Sequence, residues 1–436
     1  SYPPRFILSM PRLLDTDDVP DEILVLVVDF LQTCTLSQTC QRTWQLLQRR
    51  YTRYWVSQQN VRTISETLVS VQSRAYDVHL YAHSFRLRYE CFENAGAQAL
   101  AILKEAPLLS TLRVDLSGTL VGDAGAQALA SLKDAPSLHT LSLDLSWTPV
   151  TNVGAQALAS LQEAPLLRTL SLDLSKTDVG DVGAQALAGL RKAPWLHTLS
   201  LGLSKSSVSR FGAQALASLQ EAPLLHTLSL DLSDNALEDV GAEYLGTLKE
   251  LSTLQTLHLN LAHNRISWKG TQALSSLKDS ATLHTFHLNL RANLVLCDGA
   301  VALSSLKDSS IHCLHLDLSC NKILCDGAHA LATMVEDGGL RTLHLNLDGN
   351  NIRNEAMMEV LKAVVDSTAT IHVSVRENFR SRPLVGCASI AGRGGGYAFH
   401  QPHVLAPRVL KGRRYWGPSP AIQSDSDSDS IQSESD

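Results

Sequence analysis

Across most of the chain the hydrophobic pattern changes period twice in every 29 residues. In Leu225–Leu232, Leu228, Leu230 and Leu232 alternate with polar residues, the period of a half-buried strand. The next stretch, Glu238–Glu250, places Val240, Tyr244, Leu245 and Leu248 at helical spacing behind acidic residues suited to a helix start. The glycine that opens each helical half falls at Gly96, Gly125, Gly154, Gly183, Gly212, Gly241, Gly270, Gly299 and Gly327, seven steps of 29 residues and one of 28. Pro136, Pro165, Pro194 and Pro223 end helices they cannot continue. A strand and a helix repeated in the same sense predict a parallel sheet with helices on one side. Helices are wider than strands, ~10 Å against ~4.8 Å, so such a stack curves with its strands inside. No layer buries its leucines without its neighbours.

The motif L-x-x-L-x-L, an asparagine at Asn235, Asn264, Asn293, Asn321 and Asn350, and then G-A-x-x-L resembles the ribonuclease-inhibitor-like class of leucine-rich repeats. The G-A-x-A-L-A helices also resemble those of the bacterial GALA effectors. The resemblance covers about residues 80–376 and implies an α/β horseshoe, parallel strands concave and helices convex, that binds proteins. Four residues, D-L-S-D, stand between Leu230 and Asn235 where the class usually has two. Leu80, Phe85 and Leu87 match a degenerate first strand, and Ile371, Val373 and Val375 a last one.

Strand alternation sends three positions per layer to the inner face. The first is threonine at 111, 140, 169, 198, 227, 256, 285 and 342, interrupted by Cys313. The second runs Ser142, Ser171, Ser200, Ser229 and then His258, His287, His315, His344. The third runs Asp115, Asp144, Asp173, Gly202, Asp231 and then Asn260, Asn289, Asp317, Asn346. The wall therefore changes near residue 250 from acidic to nearly neutral. Stacked aspartates repel one another, which a Lys/Arg-rich protein segment would relieve. The histidines read as a solvated polar face, as a protonation-sensitive surface or as a metal site; no short ligand motif is present, so no metal and no cofactor is expected. Trp147 and Trp268 on loop rims are further binding candidates, and each can equally pack on its neighbour.

Upstream, Pro20, Asp21 and Glu22 suit a helix start, and Ile23, Leu24, Val27, Val28 and Leu31 form an apolar face. Leu36, Cys40, Trp44 and Leu47 form a second. Val19–Leu24, Phe30-Leu31 and Cys40–Trp44 resemble an F-box. That resemblance implies docking on a cullin-RING (SCF) ubiquitin-ligase adaptor through Pro20, Ile23, Leu24, Val27, Leu31 and Trp44. Read on their own, the same residues also suit a cap on the repeat array, or a buried strand over Val25–Val28.

The predicted organisation is a flexible 1–15, an F-box-like helical segment 16–50, a helical linker 51–79, the repeats 80–376 and a disordered tail 377–436. The tail joins a basic stretch, eight Lys/Arg against one acid in 376–416, to an S-D-S-D run. Ser424, Ser426 and Ser433, each with an acid three residues on, resemble acidophilic kinase sites.

Net charge is −6, which favours neither nucleic acid nor an acidic membrane surface as a partner. No signal peptide or 18-residue apolar run is visible, and the eight cysteines are scattered without a C-x-x-C pair, so a cytoplasmic or nuclear setting is expected. No phosphate loop, nucleophile elbow or metal motif points to an enzyme. The expected function is a non-enzymatic adaptor, the substrate receptor of an SCF-type ligase, with a scaffold lacking any ligase link as the alternative. A GTPase activator of the Ran type shares the repeat class, but no arginine falls in a matching loop.

Overall fold

The computed structural model describes residues 51–70, 76–82, 92–336, 339–353, 355–356, 360, 370–376 and 378. The chain divides into residues 1–397 and 398–436; the second unit, the F-box-like segment 16–50 and the expected tail from residue 379 on lie outside the described residues.

Among the described residues twelve strands form one parallel sheet in strict chain order. They are β1 Tyr51–Trp55, β2 Asp77–Tyr81, β3 Thr111–Asp115, β4 Thr140–Asp144, β5 Thr169–Asp173 and β6 Thr198–Gly202. Then come β7 Thr227–Asp231, β8 Thr256–Asn260, β9 Thr285–Asn289, β10 Cys313–Asp317, β11 Thr342–Asn346 and β12 Thr370–Ser374. Helices separate most of them, and this is the leucine-rich-repeat α/β horseshoe that the periodicity predicts. The register never slips, so Thr140 faces Thr169 and His287 faces His315. Leucines at the second and fourth strand positions are buried, as Leu228 and Leu230 are. The extra step adds another buried leucine after each strand from β3 to β11, Leu232 for example. Among the described residues no helix is long and apolar enough to cross a membrane.

Two expectations are corrected. Residues 51–79 are not a helical bridge: Tyr51–Trp55 and Asp77–Tyr81 are strands paired in parallel, with the helix Val61–Val69 between them. The alternation of Y-T-R-Y-W and D-V-H-L-Y carries this layer, but Thr52, Tyr54 and Val78 stand at core positions that leucine fills in most other layers, and aromatic and charged residues replace the serines and aspartates of the inner face. The strand near residue 80 is thus Asp77–Tyr81, with Val78 and Leu80 buried, and Phe85 and Leu87 lie outside the described residues. Val240 does not join the helix's inner face; it is exposed, while Leu245 and Leu248 are buried.

From Asn94–Leu100 to Leu296–Ser304 each α-helix is short, eight residues in Asn152–Ala159, and tightens into a 3₁₀ turn, in that layer Ser160–Glu163 before an Ala-Pro corner. The glycine that opens it lets successive helices approach: a Cβ on Gly154 would lie 3.1 Å from Ala126 Cβ and 2.7 Å from Asp123 Oδ1. That carboxylate explains a second period. Asp123 Oδ1 accepts from Thr151 N and Gly154 N, both at 2.8 Å, capping the next layer's helix. Asp181 does the same for Ser209 and Gly212, and Asp239 for Ser267 and Gly270. Intervening layers carry Asn152, Arg210 and Trp268 at this position. The ion pairs Lys133–Glu163, Arg191–Glu221 and Lys249–Asp279 follow the same alternation. The structural unit in this stretch is therefore a pair of layers, one donating a cap and the next receiving it.

Candidate protein-binding face

The first, third and fifth residues of the strands point away from the leucine core, as the half-buried pattern of Thr140, Ser142 and Asp144 shows. This is the inner face, and the sheet register turns its residues into rows.

The third row begins Trp55, Tyr81, Asp115 and continues Asp144, Asp173, Gly202, Asp231. Its aspartates are tied to the backbone. Asp115 Oδ1 accepts from Ser117 N at 3.0 Å, Asp144 from Ser146 N at 2.9 Å, Asp173 from Ser175 N at 2.9 Å and Asp231 from Ser233 N at 3.0 Å. Asn289 makes the same Asx turn to Arg291 N at 2.9 Å. Aspartate and asparagine interchange along this row because the strand end needs only the Oδ1 acceptor. Burial pushes the Asp144 carboxyl above its ordinary range, the Ser146 hydrogen bonds pull it back, and the charges of Asp173 and Asp115 push it up. At Gly202 a Cβ would stand 2.5 Å from Asp173 Oδ1, so the missing side chain makes room for its neighbour's carboxylate.

The second row runs Arg53, His79, Arg113, then serines from Ser142 to Ser229, then five histidines. Ring centroids are 4.1 Å apart for His258–His287, 3.9 Å for His287–His315, 4.1 Å for His315–His344 and 4.5 Å for His344–His372. His372 is a rung the sequence reading missed, although Ile371 and Val373 had marked its strand. Burial, followed by the charges of His258, His315 and His344, pushes His287 down to about 4. Burial also lowers His258, His315 and His344. Lowered in this way, His258, His287, His315 and His344 are uncharged at neutral pH.

At the β1 end the face differs from both halves. Trp55 is 66% exposed and lies 5.5 Å from the Tyr81 ring. Tyr81 and His79 share a 2.6 Å hydrogen bond, and Arg113 reaches Asp77 at 3.6 Å. Burial, then the Arg113 charge, lowers His79. Reading residues 51–79 as a linker hid this aromatic-and-arginine cluster, whose signal was the Arg53/Trp55 alternation.

Trp147 stands on the rim three residues past Asp144, 60% exposed, with φ +58° and Lys176 Nζ 4.0 Å from its ring centroid. A bulky side chain in the left-handed region costs roughly 1–2 kcal/mol. It is held there by its N–H donating to Ser175 O at 2.9 Å. Trp268 belongs elsewhere: it is the first residue of the helix Trp268–Ser275, outside the strand rows.

Beneath the rim runs a column of buried asparagines. Asn321 Nδ2 donates to Leu290 O at 2.8 Å and Leu318 O at 3.0 Å, and its Oδ1 accepts from Asn293 N at 3.1 Å and Val295 N at 3.2 Å. The column extends to Asn378, one layer past the last asparagine expected.

A model of the family described as Leucine Rich repeat matches residues 137–159, 168–188 and 226–246, three stretches that each hold a strand and the α-helix that follows it. The chain carries leucine-rich repeats, a fold typical of protein-interaction scaffolds. A comparison with curated proteins returns no match.

Proposed function

We propose that the solenoid holds a protein substrate that residues 16–47 deliver to a cullin-RING (SCF) ubiquitin ligase. The observation that carries the binding half is the uninterrupted inner face of outward polar rows, with aromatic and arginine side chains gathered at its β1 end, the residue types that anchor interfaces. A basic segment of the substrate fits Asp115, Asp144, Asp173 and Asp231. His258, His287, His315, His344 and the rim residue Trp147 extend that surface, and Trp268 is a separate candidate on a helix start.

The ligase half rests on the F-box-like residues Pro20, Ile23, Leu24, Val27, Leu31 and Trp44. Pull-down from cells is expected to recover the ligase adaptor with the native chain and to lose it with Leu24→Asp plus Leu31→Asp. No adaptor in either sample overturns this half. Ser424, Ser426 and Ser433 fit acidophilic phosphorylation of the tail, checked by mass spectrometry of chain isolated from cells, and the expected compartment is the cytoplasm or nucleus.

A second reading has its own support. Among the described residues β1 ends the sheet, and an open parallel edge calls for a cover. Apolar residues 16–47 immediately precede it. In a scaffold without a ligase link they cap the array, and Leu24→Asp plus Leu31→Asp then lowers the melting temperature of the repeats.

A further inference from the structure

We propose that His287, Cys313 and His315 bind a zinc-class transition-metal ion on the inner face of the sheet. Their donor atoms all lie within 4.8 Å of one another, and all three side chains are half-buried. Among the described residues they are the group of histidine, cysteine and acidic side chains that converges in this way.

The sheet sets this geometry. Cys313 and His315 are the first and third residues of β10, so they share its inner face. His287 on β9 is the register partner of His315. Backbone hydrogen bonds therefore fix all three Cα positions, and only side-chain rotation remains. A tetrahedral zinc site, with nitrogens at about 2.0–2.1 Å and sulfur at about 2.3 Å, keeps its donors roughly 3.3–3.8 Å apart. The side chains have about one ångström to close. The rings of His287 and His315 are stacked 15° from parallel, and binding one ion would splay them so that both nitrogen lone pairs converge on it.

Residue choice points the same way. The first row is threonine on the nine other strands from β3 to β12, and it is cysteine only on β10, beside two imidazoles. The row faces away from the leucine core, so packing there does not require the exchange. A thiolate with two imidazoles is a donor set for zinc, cobalt(II) or copper rather than for magnesium or calcium, which take oxygen ligands. The fourth position falls to water, to His258 or His344, which stack at 4.1 Å on either side, or to a side chain of a bound protein. The site stands independently of any ligase role, because it needs no partner.

Titration of the full-length, metal-stripped chain with Co²⁺ tests it. One equivalent is expected to give the visible bands of tetrahedral cobalt with a thiolate charge-transfer band, and Zn²⁺ is expected to bleach them. Cys313→Thr installs the residue of the rest of the row and keeps the fold; it is expected to abolish the charge-transfer band. His287→Ser, the residue of the same row in β4–β7, is expected to weaken Co²⁺ by no less than roughly 10-fold, the scale of losing even an outer-shell partner. Cys297→Ala is expected to change nothing. Absence of a thiolate band in the native chain, or its persistence in Cys313→Thr, overturns the proposal.

Discussion

The solenoid is two arrays in one. From β3 to β7 the inner rows are mostly serine and aspartate, and the residue under the rim is a threonine or serine through β6, Thr119, Thr148, Thr177 and Ser206, with the first asparagine, Asn235, after β7. From β8 onward the rows are histidine and mostly asparagine, over a column of asparagines. The backbone hardly changes between them. A threonine hydroxyl has one proton, and Thr148 Oγ1 donates it to Leu145 O within its own layer at 2.5 Å. An asparagine amide has two protons and an acceptor, so it bonds both its own layer and the preceding one, as Asn321 bonds Leu318 O in its own layer and Leu290 O, Asn293 N and Val295 N in the layer before. The asparagine half is therefore stitched between layers, and the threonine half is held chiefly by leucine packing and by the aspartate caps of alternate layers.

The largest expected contrast follows from that stitching. Asn321→Ala leaves several buried backbone groups unpaired at about 1–3 kcal/mol each, a loss of roughly 3–5 kcal/mol. Thr148→Ala removes one hydrogen bond, about 1 kcal/mol. Urea unfolding, with hydrogen exchange to localise the loss, distinguishes them; equal effects would remove the distinction between the halves.

Acid acts on the two halves in opposite directions. His287 titrates near 4 in the folded chain and near 6.5 unfolded. Between those values the unfolded state binds the proton, so this column loses stability as pH falls from about 6.5 toward 4. Asp144 is raised above its ordinary value, so the folded state holds its proton more readily, and its contribution to stability grows as pH falls through that raised value. Hydrogen exchange of the metal-free chain at neutral and acid pH is expected to show β8–β12 loosening before β3–β7, and His287→Ser is expected to blunt the difference.

The smallest effect tests what the acidic row is for. Asp144→Asn keeps the acceptor for Ser146 N and is expected to change stability by no more than about 0.5 kcal/mol, whereas Asp144→Ala loses the turn and about 1 kcal/mol. Because Asp144→Asn plus Asp173→Asn remove charge without breaking turns, they are the variants with which to test binding of a basic segment. An asparagine pair that destabilises as much as alanine would assign the row an electrostatic role in folding.

Much of this was legible beforehand. The 29-residue glycine register, the leucine alternation and the three inner rows follow from periods of 2 and 3.6, which depend only on local backbone geometry. The 58-residue alternation was also written in the chain, as Asp123, Asp181 and Asp239 against Asn152, Arg210 and Trp268, but nothing in a single layer says that a carboxylate serves the next one. β1 was missed, and β2 was set too late in the chain, because Arg53, Trp55, His79 and Tyr81 obscure strands that only their parallel pairing stabilises.

By itself, then, the sequence determined the repeat, its phase and which residues face the inner wall, because each is a property of one layer. The tertiary structure decided what those residues do there. Stacking layers at strand spacing tied the aspartates into turns, pressed five imidazoles into a column, four of which resist protonation, and brought Cys313 beside His287 and His315. Those are relations between layers, created only when the register of the sheet is fixed.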